Sequence, residues 1–179
     1  MRANILGTLN VLQAVRELGV GRLVHTSTSE VYGSAQVVPM TEDHPLVGQS
    51  PYSASKIAAD KLAESYHRSF GSPVVTLRPF NTYGPRQSAR AVIPTITTQL
   101  LMGRPIRLGD TRPTRDFVYV DDTVDAFLRA GTVDGIEGLT VHTGTGREAR
   151  SGDLRPRIGA AAGRGFTTEA VPARVRPAA

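Results

Sequence analysis

Two stretches decide the fold: Arg22-Leu-Val-His-Thr-Ser-Thr-Ser-Glu-Val-Tyr-Gly33 and, further along the chain, Ser50-Pro-Tyr-Ser-Ala-Ser-Lys56. The first predicts a short strand that ends in hydroxyl and carboxylate side chains. The second has a serine in the N-cap position and a proline at the first helical position, which predicts the start of a helix running to about Phe70. A strand followed by a long helix is the repeating unit of an α/β protein.

The same alternation continues on both sides of these stretches. Helical spacing of apolar residues predicts a helix over residues 3–18, with Gly19 as its C-cap. Further strands are predicted at 74–78, 106–108 and 117–120, and further helices at 91–102, 121–130 and 151–162, before a Pro- and Arg-rich tail. Alternating strands and helices predict a parallel sheet with helices on its faces.

Composition narrows the class of protein. The chain has 179 residues, of which 40% are hydrophobic and 21% charged, values typical of a folded globular protein. No apolar run is long enough to span a bilayer, and no signal-peptide pattern is present. The sequence has no cysteine, which excludes disulfides and thiolate–metal sites and favours a cytoplasmic protein.

The net charge of +5 allows either a nucleic acid or an anionic small molecule as partner. Much of the basic excess lies after Thr145, with no interleaved aromatic residues and no basic helix face, so we expect no nucleic-acid binding. The histidines do not have metal-ligand spacing, and we expect no metal site: they are His25, His44, His67 and His142.

Tyr52 and Lys56 form the strongest chemical pattern. They are four residues apart near the start of the predicted helix, so both lie on one face of it. A free tyrosine titrates near pH 10 and becomes a useful base only when a nearby cation stabilises its phenolate. Such a pair can remove a hydroxyl proton while a hydride leaves the same carbon.

The polar turn from Thr26 to Gly33 strengthens that interpretation. Ligands of open α/β sheets bind at the carboxyl ends of the strands, where this turn is predicted to lie. Its hydroxyls and the carboxylate of Glu30 are hard to explain as core residues, although a Ser/Thr turn with an exposed glutamate is the plain structural alternative.

Together these residues resemble the extended short-chain dehydrogenases/reductases, the NAD-dependent epimerase/dehydratase family. The motifs that carry the resemblance occur in the family's order: Asn4-Ile-Leu-Gly-Thr-Leu-Asn-Val-Leu, Ser27-Thr-Ser-Glu-Val-Tyr-Gly, Pro51-Tyr-Ser-Ala-Ser-Lys, Arg78-Pro-Phe-Asn-Thr-Tyr-Gly-Pro and Thr114-Arg-Asp-Phe-Val-Tyr-Val-Asp-Asp. The stretch from Gly84 to Pro94 is most similar to nucleotide-sugar 4,6-dehydratases, particularly those acting on UDP-N-acetylglucosamine.

The resemblance implies a Rossmann-like, doubly wound parallel sheet, NAD as cofactor and specific catalytic roles. Tyr52 would be the base at the sugar 4-hydroxyl, and Lys56 would lower the pKa of Tyr52 and bind the nicotinamide ribose. Thr28 would hydrogen-bond the reacting 4-oxygen, Glu30 would remove the C5 proton, and Pro79 would contact the cofactor.

It also implies a nucleotide-sugar substrate, held through its diphosphate by Asn81 and Arg115, with Arg86 and Arg174 as weaker candidates. A planar guanidinium suits phosphate oxygens, although a turn asparagine and a surface Arg–Asp pair are the structural alternatives. The implied division is a second half of the NAD-binding domain at 1–88 and a substrate-binding region with a loose tail at 89–179. A homodimer through helices 3–18 and 52–70 is expected.

The resemblance leaves the reaction open. Ser29 stands where one subgroup of dehydratases has an aspartic acid, and the pair Ser29-Glu30 also occurs in nucleotide-sugar decarboxylases. Simple 4-epimerases usually lack the glutamate. Dehydratase is therefore the first choice, with decarboxylase and 4-epimerase as alternatives.

A glycine-rich turn that opens a helix behind a first strand, which holds the cofactor pyrophosphate in this family, is not found in these residues. At roughly 30 residues per strand–helix–strand unit, about 90 residues of the family pattern are missing. Three hypotheses follow: a working enzyme whose start lies upstream, an inactive truncated remnant, or an interaction protein that keeps the dimer-forming helices.

Overall fold

The computed structural model of the chain describes residues 1–170. These residues form two compact units. Unit 1 consists of Met1–Phe80 and Asp121–Gly144, and unit 2 consists of Asn81–Val120 and the described residues from Thr145 onward.

Nine strands and five α-helices make up the described part of the chain. The strands are β1 Leu23–Thr26, β2 Val74–Pro79, β3 Asn81–Tyr83, β4 Ile106–Leu108, β5 Thr114–Arg115, β6 Phe117–Tyr119, β7 Thr140–Thr143, β8 Ala149–Arg150 and β9 Thr168–Ala170. The α-helices are α1 Gly7–Leu18, α2 Pro51–Phe70, α3 Val92–Leu101, α4 Val120–Thr132 and α5 Leu154–Ala161. Short 3₁₀ turns lie at Ser29–Tyr32 and Ser151–Asp153, and a π-helical turn at Arg2–Leu6 leads into α1.

Unit 1 is built on a parallel sheet with the strand order β1-β2-β7. Leu23 pairs with Val74 at the start of β1, and Thr76 pairs with Thr140 at the start of β7. The central strand β2 is buried from Val74 to Arg78, as expected for a parallel strand with neighbours on both edges. Because all three strands run the same way, their carboxyl ends lie at one edge of the sheet.

The two long helices of unit 1 have clear sequence signals at their ends. Gly19 ends α1 in the left-handed conformation that glycine adopts without strain. Ser50 caps α2 with a reciprocal pair of hydrogen bonds to Ser53, the capping-box arrangement. The helices pack on the sheet through a core of small and branched side chains: Leu12, Ala63 and Val74, with Leu23, Leu62 and Tyr66 around them.

Unit 2 contains three two-stranded sheets. Strands β3 and β6 pair in parallel, as do β4 and β9, whereas β5 and β8 pair antiparallel. Helices α3 and α5 cover a second apolar core, which consists of Ile96, Ile106 and Leu154 with Val92, Ile93, Leu108, Phe117 and Ile158 against it.

The structure confirms the α/β class with a parallel sheet, and each long predicted helix is present. The boundary between the units differs from the division expected at residue 88. The chain leaves unit 1 after Phe80, and α4 and β7 belong to unit 1 again because β7 completes the sheet beside β2. Within residues 1–170, no helix has the length and apolar character needed to cross a membrane.

Candidate active site

The turn that follows β1 is held by its own hydroxyl groups. Thr28 takes an extended conformation and caps the 3₁₀ turn Ser29–Tyr32, where its Oγ1 accepts a hydrogen bond from the Glu30 amide at 3.2 Å. Gly33 ends the turn with φ 66°. A Cβ there would lie 2.9 Å from the Gln49 side chain and 3.0 Å from the Val47 carbonyl oxygen, so both the positive φ and the nearby backbone favour glycine. The turn therefore presents the side chains of Thr28 and Glu30 at the carboxyl edge of the sheet.

Helix α2 begins beside this turn and carries Tyr52 and Lys56. Because the cap at Ser50 fixes the first helical residue, Tyr52 lies in the first turn and Lys56 one turn later on the same face. Tyr52 is 48% exposed, which leaves its ring accessible to a ligand.

The structure brings Thr28, Glu30 and Tyr52 together. Partial burial and the negative charge of Glu30 raise the pKa of the Tyr52 phenol above its ordinary value, although a hydrogen bond with the Thr28 side chain acts in the opposite direction. The phenol is therefore protonated at neutral pH in the protein alone. It needs additional positive charge nearby before it can act as a base.

Lys56 lies close to the same edge of the sheet. Its ammonium group donates a hydrogen bond to the backbone carbonyl of Thr26, the last residue of β1. Partial burial lowers the pKa of Lys56, and the negative charge of Asp60 partly offsets that effect. The expected effect of Lys56 on the phenol stays a prediction for the protein with cofactor.

Pro79, the expected cofactor contact, is the last residue of β2 and is half-buried. It pairs with Thr143 at the end of β7, and the next residue, Phe80, donates its amide to the Thr143 carbonyl at 2.9 Å. Pro79 therefore lies at the carboxyl end of its strand, as the polar turn does at the end of β1.

Unit 2 holds the residues predicted to bind the diphosphate. Asn81 begins β3, and its amide donates to the Asp116 carbonyl at 3.0 Å, next to Arg115. The Asp116 carboxylate in turn accepts hydrogen bonds from the amides of Thr145 and Gly146 and from the Thr145 hydroxyl. Asn81 and Arg115 are thus fixed near each other by backbone pairing, and Arg115 is exposed.

Arg86 lies on an exposed loop of unit 2. It has φ 67°, an uncommon backbone conformation for a residue with a side chain. Gly84, two residues earlier, cannot be replaced easily, because a Cβ there would lie 2.6 Å from the Val120 side chain. Arg174 lies outside the described residues.

A buried polar cluster of unit 1 was not predicted from the sequence. Asp60 is 4% exposed and contacts His25, Ser27 and Arg78, each of which is also buried. One signal was available: an arginine inside the strand Val74–Pro79 must find a buried partner, since arginine is almost never buried unpaired. Within residues 1–170, no group of three or more His, Cys, Asp or Glu could hold a metal ion.

Comparison with known proteins extends the resemblance to solved and curated relatives. A family model described as GDP-mannose 4,6 dehydratase matches residues 1–154. The chain is 38% identical over 165 residues to a UDP-glucose 4-epimerase of Mycolicibacterium smegmatis, covering 89% of this chain and 52% of that protein. It is 40% identical over 153 residues to a dTDP-glucose 4,6-dehydratase of an Actinoplanes species, covering 85% of this chain and 48% of that protein.

Solved structures of the same two kinds of enzyme, a 4,6-dehydratase and a 4-epimerase, are also similar to this chain. The dTDP-glucose 4,6-dehydratase of Bacillus anthracis in complex with NAD is 33% identical, with a TM-score of 0.88 over 94% of this chain and 55% of that one. The UDP-glucuronic acid 4-epimerase of Bacillus cereus in complex with UDP-glucuronic acid and NAD is 31% identical, with a TM-score of 0.86 over 95% and 55%. The chain spans about half the length of the relatives it matches.

Proposed function

This chain belongs to the NAD-dependent epimerase/dehydratase family of extended short-chain dehydrogenases/reductases, and from that premise we propose that it carries the catalytic half of a nucleotide-sugar 4,6-dehydratase. The observation that supports the proposal most is the group formed by Thr28, Glu30 and Tyr52. A hydroxyl, a carboxylate and a phenol meet at the carboxyl edge of a parallel sheet, where ligands of such sheets bind.

The residues present fit the nicotinamide end of NAD. Tyr52 is half exposed, and the one hydrogen bond described for Lys56 uses one of the three protons on its ammonium group. The pyrophosphate end lacks a counterpart in these 179 residues, which contain no glycine-rich turn after a first strand. Bound NAD would supply the acceptor for the C4 hydride and later the donor of that hydride to C6.

The chain's own residues have separate tasks in the proposed reaction. Thr28 hydrogen-bonds the 4-oxygen of the sugar, and Tyr52 accepts the 4-hydroxyl proton as the C4–H bond breaks. Oxidation at C4 acidifies the C5–H bond, so that the Glu30 carboxylate can remove the C5 proton. The C6 hydroxyl then takes up a proton and leaves as water, which forms a C5–C6 double bond. The returning hydride adds at C6, and a proton from solvent adds at C5.

Tyr52 can act as a base only if its raised pKa falls when the site is filled. The positive charge of Lys56 and that of the oxidised nicotinamide both favour the phenolate. Removal of a proton by a group whose pKa lies near the working pH is the efficient case of general-base catalysis. The proposal therefore links catalysis by Tyr52 to cofactor binding.

Glu30 favours a dehydratase over a 4-epimerase. An epimerase exchanges hydride at C4 alone and has no use for a carboxylate that removes a C5 proton. Since one curated relative is a UDP-glucose 4-epimerase, epimerisation remains the second candidate, and decarboxylation the third because the Ser29-Glu30 pair fits it as well.

For the substrate we propose a nucleoside diphosphate sugar held by Asn81 and Arg115, with Arg86 and Arg174 as further contacts. Arg115 is exposed, and the hydrogen bond described for its side chain runs to the adjacent Thr114 carbonyl at 2.7 Å. Its planar guanidinium can pair with two phosphate oxygens at once. A UDP-N-acetylglucosamine-like sugar is the specific prediction from the Gly84–Pro94 stretch.

We also propose a homodimer through α1 and α2. Large apolar side chains are exposed on both helices: Val11 and Leu18 on α1, and Phe70 on α2. Sedimentation analysis checks this, and a monomer at micromolar concentration would contradict it. The cytoplasmic location stays a prediction from the cysteine-free sequence.

The proposal is tested with a fusion protein in which the N-terminal part of the Actinoplanes dehydratase, up to its match with this chain, precedes residue 1. We expect the folded fusion to convert dTDP-glucose, UDP-glucose or UDP-N-acetylglucosamine to a product that has lost the mass of one water. The Actinoplanes part alone is the control. A cooperatively unfolding fusion that gives no product, or a product of unchanged mass inverted at C4, would contradict the dehydratase assignment.

A further inference from the structure

Asp60 is a buried carboxylate with a full set of partners. It is 4% exposed, and it contacts His25 Nε2 at 3.0 Å and accepts the Ser27 hydroxyl at 2.7 Å. Arg78 donates to the same carboxylate from Nε at 3.1 Å and from Nη2 at 3.0 Å. One side chain of α2 therefore contacts both the end of β1 and the end of β2.

The cluster continues from Arg78 to the polar turn and to β7. Arg78 Nη1 donates to the Tyr32 hydroxyl at 2.7 Å, and this hydroxyl also contacts His142 Nε2. The His142 amide donates to the Glu42 carboxylate at 3.0 Å. The Arg78 guanidinium also lies over the Tyr32 ring, 5.0 Å from its centroid.

Each end of this cluster adjoins a proposed catalytic group. Ser27 directly precedes Thr28, and Tyr32 closes the short turn that contains Glu30. Asp60 lies one helical turn after Lys56. The two halves of the proposed site, one on the turn and one on α2, are thus joined beneath the surface by Asp60.

We propose that Asp60 is a positioning residue: through Ser27, His25 and Arg78 it fixes the Thr28–Glu30 turn against α2, so that Thr28, Glu30 and Tyr52 keep their mutual geometry. This inference rests on the proposed function. It assigns Asp60 no contact with the substrate or the cofactor.

Electrostatics agree with this geometry. Burial acts to raise the pKa of Asp60, but hydrogen bonds from His25 and Ser27 and the charge of Arg78 outweigh it, and the pKa lies below its ordinary value. Asp60 is therefore a carboxylate at neutral pH, and its charge supports the protonated form of Lys56.

A simple contribution to folding stability is the competing explanation. Buried ion pairs contribute little net stability compared with apolar residues, although removal of one partner is strongly destabilising. A stability role alone lowers the folded fraction and leaves the turnover of each folded molecule unchanged. The two explanations therefore differ in the kcat of the folded protein.

Arg22 provides a matched control at the other end of β1. Its guanidinium is 14% exposed, donates to the carbonyls of Ala130 at 2.8 Å and Val133 at 3.0 Å, and pairs with Glu137. Arg22→Met breaks a partly buried polar anchor of the same unit, but at the end of β1 opposite to the catalytic turn. Asp60→Asn keeps the side-chain shape and removes the charge.

The experiment compares both variants in the fusion protein, with kcat corrected for the folded fraction. Because misplacement by about 1 Å can reduce turnover ~10²-fold, we expect Asp60→Asn to lower kcat by about one to two orders of magnitude, with KM changed far less. We expect Arg22→Met to keep the parent kcat despite its lower melting temperature. Parent-like kcat in Asp60→Asn, or equal losses in both variants, would overturn the proposal.

A second readout does not depend on activity. Amide hydrogen exchange in the same proteins should become faster over residues 27–33 in Asp60→Asn and stay at the parent rate there in Arg22→Met. An inactive parent fusion would refute the proposed function and leave this exchange result to decide the positioning role. Unchanged exchange over residues 27–33 in Asp60→Asn would overturn the positioning role even in an active fusion.

Discussion

Tyr52→Phe removes a single hydroxyl group at the centre of the proposed site. The residue is 48% exposed, and the partner described for its hydroxyl is the Thr28 side chain. Loss of one such hydrogen bond costs about 0.5–1.5 kcal/mol, which lowers the melting temperature of a chain of this size by roughly 1–6 °C. Loss of a general base, by contrast, reduces turnover ~10²–10⁴-fold. The change should therefore separate chemistry from stability.

The assay measures kcat and KM of the fusion protein for the best of the nucleotide sugars, together with thermal unfolding by circular dichroism. We expect kcat to fall by two orders of magnitude or more, with KM little changed, since the hydroxyl acts in proton transfer. Tyr66→Phe, in the same helix and packed against Phe70, is the matched control and should keep the parent kcat. A Tyr52→Phe variant that retains most of the parent kcat would refute the role of the phenol.

The remaining predictions concern the turn, the charge of Glu30 and the cofactor. Glu30→Gln should lower the pKa of Tyr52, because the negative charge of Glu30 raises that pKa. Ultraviolet titration of the phenolate measures this, with the titration of the Tyr52→Phe variant subtracted as the reference. An unchanged pKa of Tyr52 would refute the coupling. Gly33→Ala should destabilise the chain by about 1–3 kcal/mol in urea unfolding, because Gly33 has a positive φ and a close contact with Gln49. Gly21→Ala is the control and should cost far less, since the space around Gly21 is open. Equal losses of stability in the two variants would contradict strain at Gly33. Residues 1–179 alone should bind NAD weakly in calorimetry, because no glycine-rich turn is present to hold the pyrophosphate; a micromolar dissociation constant would contradict this.

Much of unit 1 was predictable because its signals are local. Ser50-Pro51 sets the start of α2, and Gly71 ends it in the left-handed conformation. The position of Tyr52 and Lys56 on one face of the first two helical turns therefore follows from the sequence. The position of Thr28 and Glu30 at the carboxyl edge also follows, because parallel strands place their carboxyl ends together.

The electrostatics of the site could not be predicted in the same way. The resemblance implies that Lys56 lowers the pKa of Tyr52 in the protein with cofactor, and this stays a prediction. In the protein alone, burial and the charge of Glu30 raise the pKa of Tyr52, and Lys56 donates a hydrogen bond to the Thr26 carbonyl. The shift of a pKa depends on the burial of the group and on its distance from other charges to within a few ångströms, and residue spacing determines neither.

Asp60 shows a second limit of the sequence. It stands four residues after Lys56 on a helix with several charged side chains, and nothing in that spacing distinguishes a buried carboxylate from a solvated one. Its partners come from two strands, and these contacts exist only when the sheet is assembled.

The short strands of unit 2 were missed for a related reason. Ala149–Arg150 and Thr168–Ala170 are too short to show a period of two, and they pair with partners more than 30 residues away in the chain. Their pairing is decided by tertiary packing.

The central claim, that Glu30 removes the C5 proton in a dehydration, is tested most directly by turnover in heavy water. The fusion protein is incubated with its nucleotide sugar and NAD in deuterium oxide, and the product is analysed by NMR and mass spectrometry. The proposed reaction predicts a product that has lost one water and carries deuterium at C5. A product inverted at C4 with no deuterium at C5 would contradict the account and identify an epimerase. Loss of carbon dioxide from UDP-glucuronic acid, offered in a parallel incubation, would identify a decarboxylase.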